Sequence, residues 1–187
     1  MTYLGTIAGL RAADVKGAYL GRARHLHVGA YFLLQGFHAG AAQVFRKAKR
    51  LGMTTSLDCN FDPSERWDSG IREILKSVDV FLPNETEALR LTGASSVQDA
   101  ACELARLAQT VVVKRGSRGA MVTSNGKTVR VPAVKAQVVD ATGAGDSFNA
   151  GFLARFVSGG SIAECARAGT VAGARSVEHV GGTAAFE

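Results

Sequence analysis

The run "VVDATGAGDSFNAGF", Val138 to Phe152, places a carboxylate, Asp146, directly after Gly143-Ala144-Gly145. A helical pattern with Phe148 and Phe152 on one face begins there. Helix N-termini attract anions through amides that lack a partner and through the macrodipole. Gly143, Ala144 and Gly145 carry almost no side chain, so bare backbone can approach a ligand, and glycine admits left-handed conformations. Successive N–H groups there can form an anion-binding nest. An anion hole beside a carboxylate suits phosphoryl transfer to an alcohol. The amides stabilise charge on the transferring group while the carboxylate accepts the hydroxyl proton. On the plainer reading Asp146 merely caps the helix.

The elements that must hold this run alternate between helix and strand. Ala41 to Leu51 reads as a helix ended by Gly52, and "TTSLD" follows as a short strand. Ser69 to Lys76 is helical in pattern, and "VDVFLP" is a strand stopped by Pro83. Thr86 to Leu91 and Val97 to Ala108 are further helices. "TVVVK", Thr110 to Lys114, is a continuous β-branched run suited to a sheet covered on both faces, and "YFLL" reads as a second core strand. Asn125-Gly126 between "AMVTS" and "KTVRV" signals a hairpin. "QVV" leads into the opening motif, and helices over Asp146 to Phe156 and Ile162 to about Ser176 finish the chain.

This order predicts an α/β fold with a mainly parallel sheet, helices on both faces and a hairpin in the C-terminal half. Ligands in such folds collect at the carboxyl ends of strands. The loops placed there are "DCNFDPSERW", "PNETEA", "KRGSRGA" and "DATGAGD", so one shared site is expected.

At 187 residues, one domain with a sizeable core is expected, and 47% hydrophobic with 20% charged residues describes an ordinary globular chain. No apolar run approaches membrane-span length, and no secretion signal is visible, so a cytoplasmic setting without a membrane partner is expected. Cys59, Cys102 and Cys165 share no metal or redox spacing and read as reduced thiols. The net charge of +6 suits an anionic ligand such as a nucleotide. It could equally point to nucleic acid, but the one basic run, "FRKAKR", falls near a helix end and no nucleic-acid motif accompanies it. A P-loop, a dinucleotide fingerprint (position 148 is Phe148), a zinc cluster and a nucleophile elbow are all missing. His25, His27, His38 and His179 stand apart and read as structural or surface residues.

The motif resembles the C-terminal signature of the pfkB-type carbohydrate kinases, the ribokinase-like family. Asp140, Thr142, Gly143, Ala144, Gly145 and Asp146 match its Asp-x-Thr-Gly-Ala-Gly-Asp pattern throughout. The resemblance implies an ATP- and Mg²⁺-dependent kinase acting on a sugar or nucleoside hydroxyl, with Asp146 as base and substrate contact and Gly143 to Gly145 as anion hole. "PNETEALRLTG" is similar to the family's Asn-x-x-Glu segment, which implies Asn84 near the nucleotide phosphates and Glu87 organising Mg²⁺ through water. From the residues alone Asn84 and Glu87 are a capping box. "VVVKRGSRGAMV" resembles the turn lining the ATP site, which implies nucleotide roles for Lys114, Gly116, Ser117 and Gly119. Thr170 matches a position near the base. Asp140, Thr142, Ser176 and Gly181 stand where ligands of a monovalent cation, K⁺ in this family, are expected.

"TSLDCNFDPSERW" is similar to the family's Asp-x-Asn segment through Asp58, Asn60 and Trp67, implying substrate contacts from Asp58 and Asn60. Asp62 stands where many members carry Arg. The resemblance covers nearly the whole chain but about two-thirds of a usual member. The first strands, a Gly-Gly sugar motif and the lid have no counterpart, so a single, N-terminally truncated kinase domain over 1–187 is expected. Its partners on this reading are a small-molecule substrate and either a second copy or an N-terminal segment that completes the sheet. The alternative is a nucleotide-binding remnant or regulatory subunit without catalysis.

Overall fold

The structure is a computed structural model that describes residues 5–187; the first four residues of the N-terminal reading above lie outside it. Six strands form one sheet in chain order: β1 (His25–Val28), β2 (Thr54–Leu57), β3 (Val80–Phe81), β4 (Thr110–Lys114), β5 (Ala120–Ser124) and β6 (Lys127–Val131). The first four run parallel, and β5 and β6 pair antiparallel from Ala120↔Val131 to Ser124↔Lys127. The α/β class, the parallel sheet and the hairpin follow the sequence reading. Two compact units divide within β4, one ending at Val111 and the other being Val112–Glu187.

In the first unit, α1 (Gly17–Leu20) is a single turn, and α2 (His38–Arg50) buries Ala41, Val44, Phe45 and Ala48, a stripe at helical spacing, and collects Lys47, Lys49 and Arg50 in its last turn. α3 (Ile71–Leu75) starts later than the pattern suggested because Ser69 and Gly70 both have positive φ. α4 (Glu85–Thr92) and α5 (Val97–Leu104) begin at the side-chain caps Asn84 and Ser96. In the second unit, α6 (Ala144–Val157) and α7 (Ile162–Val177) pack closely because small residues face each other. A Cβ on Gly151 would sit 2.6 Å from the Ala168 carbonyl oxygen. One on Gly169 would sit 2.9 Å from the Phe148 ring. Val111, Val112 and Val113 are fully buried, as a strand covered on both faces requires.

Two expectations need correction, and one strand went unread. "YFLL" is not a strand: Tyr31–Leu33 form a 3-10 turn, because Ala30 turns left-handed and the Tyr31 and Phe32 amides donate to the carbonyls of Asp58 and Cys59. "QVV" is also irregular; Val138 and Val139 are exposed, and the Val139 amide donates to the Val177 carbonyl at 2.7 Å instead of joining a ladder. The strand that sequence reading missed is β1, whose His-Leu-His-Val alternation hides behind polar residues.

Those histidines are bound into the sheet. His25 Nδ1 and Nε2 meet Thr54 Oγ1 at 2.8 Å and Ser56 Oγ at 2.7 Å, and His27 Nδ1 meets the same Ser56 hydroxyl at 2.7 Å. Burial, with the neighbouring His27, lowers the His25 pKa from 6.5 to about 4. The folded state therefore binds fewer protons than the unfolded one between these values. Its stability is full above the ordinary histidine pKa and declines as pH falls toward the folded one. Urea midpoints measured between about pH 7 and about pH 5 should fall, and His25→Gln should flatten that slope. An unchanged slope in the variant would assign the pH dependence elsewhere.

Candidate active site

Unit two positions the motif through Gly143, the N-cap of α6, which has left-handed φ and ψ of 74° and 0°. A Cβ there would lie 2.8 Å from the Cα of Gly182, so close passage of the C-terminal tail and the backbone angle both demand glycine. No side chain caps this helix. The Ala144 amide closes a turn onto the Ala141 carbonyl at 3.2 Å. Gly145 and Asp146 follow as the second and third helical residues, where amides lack a carbonyl one turn earlier. Asp146 is exposed, and among the described residues its carboxylate has no hydrogen-bond partner. It does not cap the helix.

Lys114, at the end of β4, reaches this turn. Its Nζ lies 3.3 Å from Asn149 Oδ1, and a Cβ on Gly145 would be 3.6 Å from that nitrogen. Asn149 is 3% exposed and was missed by sequence reading; its one signal is a polar residue on an otherwise apolar helix stretch, "FNAGF". The Gly116–Arg118 turn is closed by the Arg115 amide on the Gly119 carbonyl at 2.8 Å, leaving Ser117 exposed.

Asp140 ties the motif to the tail. Its oxygens accept from the Thr142 amide at 2.9 Å and the Gly181 amide at 2.9 Å, and these bonds hold its carboxyl below the usual carboxylate range. The Asp140 amide in turn donates to the Val177 carbonyl at 3.2 Å, next to Ser176. Ser176 is fully buried, and its hydroxyl has no partner among the described residues. This oxygen-rich set fits a hard monovalent cation. Thr170 is buried and gives its hydroxyl to the Arg167 carbonyl at 2.8 Å, within its own helix. A cavity of about 140 Å³ in this unit, lined by Val122, Val129, Val131 and Ile162 among others, involves none of the predicted residues.

Unit one brings Asp58, Cys59 and Glu87 together, with ligand atoms all within 4.8 Å of one another and every residue buried. β2 and β3 lie side by side and parallel, so the loops that follow them open on one edge. Asn84 and Glu87 form a reciprocal cap: Asn84 Oδ1 accepts from the Glu87 amide at 2.9 Å. Glu87 Oε2 and Oε1 accept from the Asn84 amide at 2.8 Å and Nδ2 at 2.7 Å. Asn84→Ala should lower stability by about 1–2 kcal/mol, measured by urea unfolding, since a cap goes and a buried carboxylate loses a donor. A loss no larger than a few tenths would show the cap to be dispensable.

Asp62 is an organiser of its own loop. Burial alone would raise its carboxyl, but the Trp67 amide at 2.7 Å and the Ser64 amide at 2.9 Å outweigh it and hold the group below the usual range. The loop they shape has left-handed Asn60, Glu65 and Trp67. Asn60 is exposed and accepts from the Phe61 amide at 2.7 Å, whereas Trp67 is buried with its ring edge-on to Phe32 and Phe61.

Unit two thus carries a glycine-capped helix with an exposed carboxylate in its first turn. The family model "pfkB family carbohydrate kinase" matches residues 1–187, and the chain belongs to that family. A cytidine kinase of Thermococcus kodakarensis is 41% identical over 102 residues, 53% of this chain and 37% of its own length. The structure of Arabidopsis thaliana ribokinase with ribose and ATP is 28% identical, with a TM-score of 0.77 over 94% of this chain and 56% of that one. The fold likeness extends to an Escherichia coli ribokinase II solved with ATP and Mg²⁺, at 24% identity and a TM-score of 0.84 over 96% of this chain and 60% of that one. The chain spans half or less of the length of the first curated relatives it matches. No helix among the described residues is long and apolar enough to cross a membrane.

Proposed function

We propose that the two units belong to one ribokinase-like kinase domain that transfers the γ-phosphoryl group of ATP to a hydroxyl of a sugar or nucleoside, in the cytoplasm. The observation that carries this reading is Asp146: an exposed carboxylate with no partner among the described residues, in the first turn of a helix capped only by glycine. Asp146 accepts the acceptor hydroxyl proton as the oxygen attacks phosphorus. The first-turn amides and the Lys114 ammonium offset charge on the transferring group. Asn84 positions Glu87, which would hold Mg²⁺, and the Gly116–Gly119 turn would wall the nucleotide. Mg²⁺, when bound, neutralises phosphate charge. Asp140, Thr142, Ser176 and Gly181 would hold a monovalent cation, a reading supported by the orphaned Ser176 hydroxyl and the amide-bound Asp140 carboxylate. Asp58 and Asn60 serve the acceptor. The relatives' names leave a sugar and a nucleoside both open.

ADP formation from ATP and Mg²⁺ against a panel of sugars and nucleosides tests the reading. Release dependent on at least one acceptor is expected. ATP binding with no release for any acceptor would favour the second reading, a nucleotide-binding part without catalysis, which the coverage of about half of the relatives keeps in play.

A further inference from the structure

We propose that Asn149 is a positioning residue for phosphoryl transfer. Its side-chain oxygen holds the Lys114 ammonium against the first turn of α6, and its neutrality leaves that charge to the nucleotide phosphates. The proposal rests on the kinase reading above. Asn149 stands four residues after Gly145 on α6 (149 − 145), and helical side chains lean toward the helix N-terminus, so it reaches back along the face that Gly145 opens. Phe148, Phe152 and Leu153 are buried on the same stretch, yet position 149 is an amide only 3% exposed. A buried amide is costly unless it is bonded. Its Oδ1 lies 3.3 Å from Lys114 Nζ. An ammonium only donates, so the contact turns the amide oxygen toward the lysine, and the charge strengthens the bond.

The placement runs against the field of the helix. The N-terminal end of α6 carries partial positive charge and repels a cation. Lys114 Nζ nevertheless comes within 3.6 Å of where a Gly145 Cβ would stand. A positive helix end and an ammonium meeting at one turn make a joint site for an anion. A carboxylate at position 149 would grip Lys114 more firmly but cancel its charge. An aliphatic side chain there would let the lysine go. Asparagine holds it and leaves the charge in place.

Two measurements on the full chain test this, with circular dichroism showing that each variant is folded. The first is the NMR signal of the Lys114 ε-methylene protons in chain labelled with carbon-13 lysine, identified by its loss in Lys114→Met. The two protons should be inequivalent in the unaltered chain and average to one signal in Asn149→Leu. The second is calorimetric titration with ATP and Mg²⁺. Asn149→Leu should weaken binding about 10-fold, the loss of one bond to a charged group. Asn149→Asp, which keeps the size and the bond but adds an anion, should weaken it about 100-fold. In the Lys114→Met background, Asn149→Leu should have no further effect. A full 10-fold loss in that background, unchanged affinity in Asn149→Asp, or an averaged Lys114 signal in the unaltered chain overturns the proposal. An unaltered chain that binds no ATP overturns the kinase reading instead, and the methylene signal still decides by itself whether Asn149 holds the lysine.

Discussion

Asp146→Asn lowers phosphoryl transfer by about 10²–10⁴-fold, the contribution a positioned general base makes, while leaving ATP affinity nearly unchanged. The asymmetry follows from the first turn of α6. Asparagine keeps the size of the side chain and the helix that carries it, but its amide cannot take a proton at neutral pH. The groups proposed for the nucleotide, Lys114 and the amides after Gly143, are untouched by the change. Because the carboxylate is exposed and makes no hydrogen bond or ion pair among the described residues, its replacement removes no structural bond either. Stability should stay within about 0.5 kcal/mol. The rate is measured as ADP formation and the affinity by calorimetry. Unchanged turnover would remove Asp146 from the role of base.

Gly119→Ala is the substitution with the largest expected effect on folding. Gly119 has φ of 80° and ψ of −127°, a region effectively reserved for glycine. An added Cβ would run into the Val131 carbonyl oxygen and lie 2.5 Å from the Ala133 amide nitrogen. Those atoms belong to the backbone at the end of β6, so no side chain can swing aside. The same residue closes the turn after β4 and leads into Ala120, which pairs with Val131. A loss of about 3 kcal/mol or more is expected, read as a lowered urea midpoint, because strain and crowding act together. Gly126→Ala is the control. Gly126 also has positive φ, 72°, yet an added Cβ meets nothing within 4 Å, so the change should cost only about 1–2 kcal/mol. Equal losses at both positions would show that backbone angle alone, without crowding, limits the turn.

What could be read in the sequence follows from where the signal is local. Gly143, Asp146 and the Asn125-Gly126 hairpin carry their geometry in their own residue types, and β4 announces itself through three consecutive valines. The capping box at Asn84 and Glu87 was legible for the same reason. β1 was not, because its outward positions are histidines that bond to Thr54 and Ser56 on the next strand. "YFLL" failed in the opposite direction: its apolar character is real, since Tyr31 and Phe32 are buried, but a left-handed Ala30 turns the backbone away from any ladder.

Site details that depend on long-range packing were also hidden. The meeting of Asp58 with Glu87 joins residues 29 positions apart (87 − 58) and has no sequence spacing to betray it. The bond from Asp140 to Gly181 spans 41 residues. Asp62, which departs from the family's usual Arg, found its explanation only in the amides of Ser64 and Trp67. A carboxylate used to shape its own loop looks the same in sequence as one aimed at a ligand.

The most direct test of the central claim is calorimetric titration of the 187-residue chain with ATP and Mg²⁺, beside the Asp146→Asn variant. The account predicts binding in both, with affinities within about 3-fold of each other, or roughly 0.65 kcal/mol. Absence of binding to the unaltered, folded chain would contradict it, because the glycine-capped helix, Lys114 and the Gly116–Gly119 turn would then not constitute a nucleotide site.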